Sequence, residues 1–225
     1  MTTPTQVNSD FSKSVVIRPD DYQWRPSPMA GVDRMMLDRI GGEVARATTI
    51  VRYVPNSEFS PHTHTGGEEF LVLDGVFSDE HGDYPKGTYV RNPIGTKHQP
   101  KIGPEGATIF VKLQQFDPSD QDQKAVNTNT APWQQGLVPG LMVMPLHQYE
   151  GENIALVKWA PHTTFTPHKH WGGEEIFVIS GTFYDEHGSY PAGSWLRSPH
   201  LSQHTPYTKD EETIIFVKTG HLPTE

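Results

Sequence analysis

The chain has 225 residues, with 27 acidic and 18 basic side chains and a formal net charge of −9. That balance, with no Lys/Arg cluster, argues against nucleic acid as a partner, because sequence-independent affinity for phosphate comes from grouped basic residues. There is no cysteine, so disulfides, thiolate metal ligands and cysteine nucleophiles are excluded and a cytoplasmic location is expected. No stretch approaches the roughly eighteen consecutive apolar residues that a membrane span needs, so no membrane association is expected.

Residues 1–20 are polar, lack a signal-peptide core and read as an N-terminal arm. Residues 32–40 carry no clear period. "TTIVRYV" (48–54), "EEFLVLDG" (68–75) and "ATIFVKL" (107–113) are apolar runs of strand length. Turn signals separate them: "DG", "EHGDYPKG", "NPIG" and "GPEG". "DEHG" (79–82) reads as a hairpin tip, with His81 a turn residue. Residues 118–131 are polar and aperiodic and read as a linker. A second series of strands follows: "NIALVKW" (153–159), "EEIFVISG" (174–181) and "TIIFVKT" (213–219), with residues 137–146 again undecided. Twenty Gly and twenty Pro suit many short strands and turns, and no ten-residue stretch has a convincing helical period.

The second series repeats the first. At an offset of 106, residues 62–112 align with 168–218 without a gap, and 25 of 51 positions are identical. Chance does not produce that. With one gap, Trp24 and Gly31 find counterparts near Trp133 and Gly136. The expected organisation is therefore an arm (1–20), a first domain (21–117), a linker (118–131) and a second domain (132–225), both domains all-β.

The most informative text is "PHTHTGGEEFLVLDG" (61–75) and its copy "PHKHWGGEEIFVISG" (167–181). On a strand, residues i and i+2 face the same side. His62 and His64 therefore point together, as do His168 and His170. The two glycines allow a turn before the next strand. Glu68 then shares a face with Phe70 and Val72, while Glu69 takes the opposite face. His98 and His204 each lie thirty residues beyond the first acid of their copy. One H-x-H is a weak signal, since a lone histidine at a strand start is usually a surface group. Here the set survives twice among copies that differ at half their positions. Three imidazoles and a carboxylate suit a divalent transition metal. Zn or Fe is expected first, Mn or Ni next, with two ions per chain. Arg91 and Arg197 are expected to pair with the spare acids Glu69 and Glu175. His147, His162, His200 and His221 are expected at the surface, and His200, four residues before His204, could also line the second cavity. Tyr84 and Tyr190 are weak candidates for a base.

These motifs resemble the cupin superfamily. The pattern G-x5-H-x-H-x3,4-E-x6-G is met by His62, His64, Glu68 and Gly75, and by His168, His170, Glu174 and Gly181, without the leading Gly. The second motif is met by Pro85, Gly87 and His98, and by Pro191, Gly193 and His204, with a longer gap before the histidine. The longer gap and "GxFxDEHGxYP" resemble the cupin-like domain of ChrR, the partner of an extracytoplasmic-function sigma factor. The resemblance implies two tandem jelly-roll β-barrels. It implies one ligand set of His62, His64, Glu68 and His98, and another of His168, His170, Glu174 and His204. The partners it implies are a small-molecule ligand or substrate, a sigma factor by family analogy, and a second copy in a homodimer. ChrR holds its sigma factor through a separate cysteine-containing zinc domain, which this chain does not match. Two functions follow: a small-molecule sensor or binding module, or an iron-dependent dioxygenase acting on small diketones or hydroxyketones. No catalytic residue is identifiable.

Overall fold

A computed structural model describes residues 5–224. Two compact units divide the chain: Met1–Ser9 with Gln23–Ala131, and Asp10–Tyr22 with Pro132–Glu225. Both are antiparallel β structures, and one short 3-10 turn, Pro19–Asp21, is the only helical element among the described residues. Among the described residues no helix is long and apolar enough to cross a membrane.

In the first unit the main sheet runs, in spatial order, Thr5–Val7, Val32–Gly41, Ala45–Tyr53, Lys101–Leu113, Glu68–Asp79, Thr88–Asn92 and Lys124–Asn127. A small two-stranded sheet pairs His62–Thr63 with Lys97–His98. The second unit repeats the plan with Gln134–Gln135, Leu141–Tyr149, Glu152–Trp159, Thr213–Thr219, Glu174–Ser180, Trp195–Ser198 and Val15–Ile17, and again a small pair, His168–Lys169 with Gln203–His204. The undecided stretches at 32–40 and 137–146 thus fall largely in strands. Alternate residues enter one core per unit: Val51, Phe70, Val72, Ile109 and Val111 in the first, and Trp159, Ile176, Val178, Leu196 and Ile215 in the second. Burying each such side chain contributes roughly 1.5–3 kcal/mol.

The glycine ending "LDG" and "ISG" has a steric reason. Gly75 and Gly181 hold φ of 69° and 71°, and a Cβ there would lie 2.1 Å from the Gly106 carbonyl oxygen or 2.3 Å from that of Glu212. Only glycine permits the turn and the close approach together.

Four expectations need correction. Residues 118–131 are not a bare linker, because Lys124–Asn127 forms the edge strand beside Thr88–Arg91. The N-terminal segment is likewise built in: Thr5–Val7 pairs with Arg39–Gly41, and Val15–Ile17 forms the matching edge beside Trp195–Arg197 in the second unit. Residues 1–4 of the expected arm lie outside the described residues. Thus the strand preceding each barrel in sequence completes the other barrel. Strands of three or four residues are too short to show an apolar alternation in a sequence. The structural counterpart of Gly31 is Gly140 rather than Gly136: Gly31 accepts from Val54 N at 3.0 Å, and Gly140 accepts from Ala160 N at 2.8 Å. The first hairpin is longer by the extra residues at its tip, which moves the register upstream of it. Finally, His147 is buried, and the His221 side chain is buried against Glu175 at 3.2 Å. Histidines without a counterpart in the repeat were not thereby surface residues.

Candidate metal centres

Each cluster is assembled by strand pairing. His62 stands directly opposite His98 in one small sheet, and His168 opposite His204 in the other. His64 and His170 follow two residues on, and the glycine turn brings Glu68 and Glu174 to the start of the next strand. In each set, one ligand atom per residue can be chosen so that all four lie within 4.8 Å of one another. In the first barrel His62 Nε2 and His98 Nε2 are 3.2 Å apart. His64 Nε2 and His98 Nε2 are each 3.7 Å from Glu68 Oε1. In the second, His170 Nδ1 is 3.3 Å from Glu174 Oε1 and His204 Nε2 is 3.5 Å from Glu174 Oε2. Ligand atoms about 2.1 Å from one ion would stand roughly 3.0–3.5 Å from each other, so the spacing fits a single ion per cluster.

Proton accounting gives an independent test. The Ser60 carbonyl lies 3.3 Å from His62 Nδ1, and Asp79 Oδ2 lies 3.0 Å from His98 Nδ1. A carbonyl or carboxylate oxygen only accepts, so both Nδ1 atoms carry the proton. In neutral rings the two Nε2 lone pairs then face one another at 3.2 Å, which favours a cation between them. His64 Nε2, the atom that faces Glu68, is buried with no hydrogen-bond partner, a costly state that a metal bond relieves. The donor set fits a divalent transition metal.

Electrostatics differ between the two centres. Burial lowers His98, but its bond to Asp79 and the charge of Glu68 outweigh that and leave it raised. His204 follows the same rule with Asp185 and Glu174. Burial and the neighbouring imidazoles His204 and His168 push His170 down to about 3. Burial raises Glu174 to about 7, although His204 opposes the shift. Glu68 accepts a hydrogen bond from Asn92 Nδ2 at 3.3 Å. The residue opposite Glu174 is Ser198, which is too short to make that bond.

The second acid of each pair lies behind the barrel wall. Glu69 Oε2 accepts from Arg91 Nη1 at 2.9 Å and from the Tyr89 hydroxyl at 2.8 Å, and Arg91 also holds Asp120. Glu175 accepts from Trp195 Nε1 at 2.8 Å, while Arg197 donates to the Asp10 carbonyl at 3.1 Å and stacks over Phe11. These arginines hold the exchanged edge segments in place. His200 Nδ1 accepts from Gly172 N at 2.9 Å and its ring meets Trp171 edge-on. His81, His162 and His187 are exposed.

Sequence reasoning missed Asp79 and Asp185. Both belong to the "DEHG" hairpin, where the aspartate accepts the turn N–H of His81 or His187 at 2.8 Å through Oδ1. The other oxygen reaches Nδ1 of the last histidine ligand, at 3.0 Å for His98 and 3.5 Å for His204. A carboxylate behind a ligand histidine fixes its tautomer and raises its basicity. The signal was the repetition of "DEHG" itself. Tyr84 and Tyr190 donate to the same aspartates, at 3.2 and 2.9 Å. Burial and Asp79 push Tyr84 up to about 12, so neither tyrosine is placed to act as a base.

The sequence profile of the ChrR cupin-like domain family matches residues 12–117 and, again, 121–223. The chain belongs to the ChrR cupin-like domain family. Both matches begin in the exchanged edge segments. No curated protein matches this cupin chain. Solved structures do. A candidate dioxygenase from Nostoc punctiforme has a TM-score of 0.78 at 15% identity, covering 95% of this chain and 85% of its own. An oxalate decarboxylase from Lactobacillus farciminis has a TM-score of 0.67 at 11% identity, covering 92% and 86%. A cupin 2 conserved barrel domain protein from Leptotrichia buccalis has a TM-score of 0.64 at 14% identity, covering 96% and 99%. At such identities the likeness shows the duplicated cupin fold alone.

Proposed function

We propose that each barrel holds one divalent transition metal, Zn or Fe foremost and Mn or Ni next, through His62, His64, Glu68 and His98 or through His168, His170, Glu174 and His204, and that a small molecule binds at the metal, making the chain a sensing or binding module. The observation that carries this is the pair of Nε2 lone pairs turned on one another at 3.2 Å with both Nδ1 protons already engaged. The chain's own groups do the rest: three neutral imidazoles and a carboxylate supply the donors, Asp79 and Asp185 orient the last histidine, and the apolar barrel wall limits water. Elemental analysis of protein purified without chelator should find about two ions per chain. A chain that stays metal-free after incubation with Zn or Fe(II) sinks the reading.

A second reading is an enzyme, an iron-dependent dioxygenase acting on small diketones or hydroxyketones. It is favoured by an apolar cavity that opens onto His168, Glu174 and His204. A bound iron would supply Lewis acidity and redox capacity there. Oxygen uptake by the iron-loaded chain with such compounds supports the enzyme, and binding without turnover supports the sensor. A sigma factor is a partner by family analogy, tested by co-purification from cells expressing both.

A further inference from the structure

The two barrels repeat the same four clustered residues, but some of the side chains beside them differ. In the second, a cavity of about 180 Å³ adjoins the metal cluster. That is about six water volumes. Its walls include Ile176, Phe183, Ile215 and Val217, so it suits a short carbon chain. Trp159 also lines it. That residue is 4% exposed, and its indole Nε1 is buried with no hydrogen-bond partner. A buried donor without an acceptor is costly unless a ligand supplies one.

In the first barrel the equivalent positions are filled differently. Ile176 becomes Phe70, whose ring is fully buried and packs 4.8 Å from Phe77. Thr219, which stands opposite the ligand Glu174, becomes Leu113, opposite Glu68. Trp159 becomes Tyr53. Both inward positions that flank the carboxylate therefore carry more carbon in the first barrel, while Val32 and Tyr53, the counterparts of Leu141 and Trp159 farther along the wall, carry less. Charge narrows the ligand further. Three neutral imidazoles and one carboxylate leave a divalent ion with one uncompensated positive charge, and an apolar cavity disfavours that unless a monoanion arrives.

We infer that the second barrel is the ligand-binding one, and that it takes a short monoanionic oxo acid whose anionic oxygen meets the metal and whose far oxygen accepts from Trp159 Nε1, while the first barrel holds its metal without such a ligand. This rests on the metal reading above.

The probes are 4-oxopentanoate and pentanoate, equal in chain length but differing in the far carbonyl. They are titrated into chain loaded with Co(II), and the visible cobalt spectrum is read. Cobalt content is measured first: fewer than two ions per wild-type chain overturns the metal reading itself. With two ions bound, 4-oxopentanoate should saturate at one equivalent per chain and bind about tenfold more tightly than pentanoate, the worth of one buried hydrogen bond. Trp159→Phe should abolish that preference while keeping both ions. Ile176→Phe should weaken both acids at least tenfold, again with cobalt retained. Two equivalents bound, no binding, or no preference for the oxo acid in the wild-type chain would each overturn the inference while leaving the metal sites standing. His98→Ala, with cobalt left in the second barrel only, should still respond to the acid, and a response confined to His204→Ala would reverse the assignment.

Discussion

The first and second barrels cluster the same four candidate ligands in the same register, yet they surround them with different chemistry. Glu68 is supported by Asn92, while Glu174 faces Ser198 and is raised to about 7. Asp79 lies 3.0 Å from its histidine and Asp185 lies 3.5 Å from its own. Arg91 reaches its edge segment through the Asp120 carboxylate, whereas Arg197 reaches its own through the Asp10 carbonyl and the Phe11 ring. After a duplication a ligand set would be constrained by the geometry of a bound metal, whereas each supporting contact has several physical solutions and drifts. The comparison can be pressed at four points.

The largest effect is loss of a ligand. His98→Ala should lower the metal content from about two ions per chain to about one, and His204→Ala should do the same, since the sets share no residue. Elemental analysis of the two single variants and of the double variant checks this. A single variant that loses both ions would mean that the sites are coupled.

Next is the buried arginine. Arg91→Ala leaves Glu69 and Asp120 without their cation and should cost about 3–5 kcal/mol of stability in the first unit. Denaturant unfolding followed through both transitions measures the loss, and a first-unit transition left unmoved by Arg91→Ala would contradict it.

Acid should separate the metal sites. Glu174 and His204 are both raised above their ordinary values, so the metal-free second barrel holds extra protons near neutrality. Metal must expel them. Affinity there should therefore rise with pH and fall roughly ten- to a hundredfold per unit on acidification below about 7, one or two protons being taken up per ion released. Metal retained by His98→Ala and by His204→Ala at stepped pH reads each site alone. Release from the second barrel at the higher pH is expected.

The smallest effect tests the hairpin aspartates. Asp79→Asn should weaken metal binding in the first barrel roughly ten- to a hundredfold. The longer contact at Asp185 should make Asp185→Asn milder. Competition with a chromophoric chelator ranks the two, and a larger loss at Asp185 would show that distance to the histidine is not what matters.

Much of this was legible in residue order. Strand alternation separated Glu68 from Glu69, and the arginine opposite Glu69 was expected to pair with it, as it does at 2.9 Å. His62 and His64 share a face for the same reason. These are local properties, decided by a two-residue period that any reader of the text can count. Duplication made them readable, because it repeated the few positions that could not vary.

Other features depend on which strands meet. Lys124–Asn127 and Val15–Ile17 are too short to carry a pattern, and their exchange between units exists only as hydrogen bonds to Thr88–Arg91 and Trp195–Arg197. Asp79 looked like a turn former because its Oδ1 is one. That its other oxygen reaches His98, nineteen residues on, depends on how the hairpin folds over the ligand strand. The cavity beside Ile176, and the unmet indole N–H of Trp159 on its wall, are likewise volumes and vacancies among residues distant in sequence. Periodicity fixes the direction of a side chain along its own strand. The room it finds there is set by the strands across the barrel, and only the folded chain brings those together.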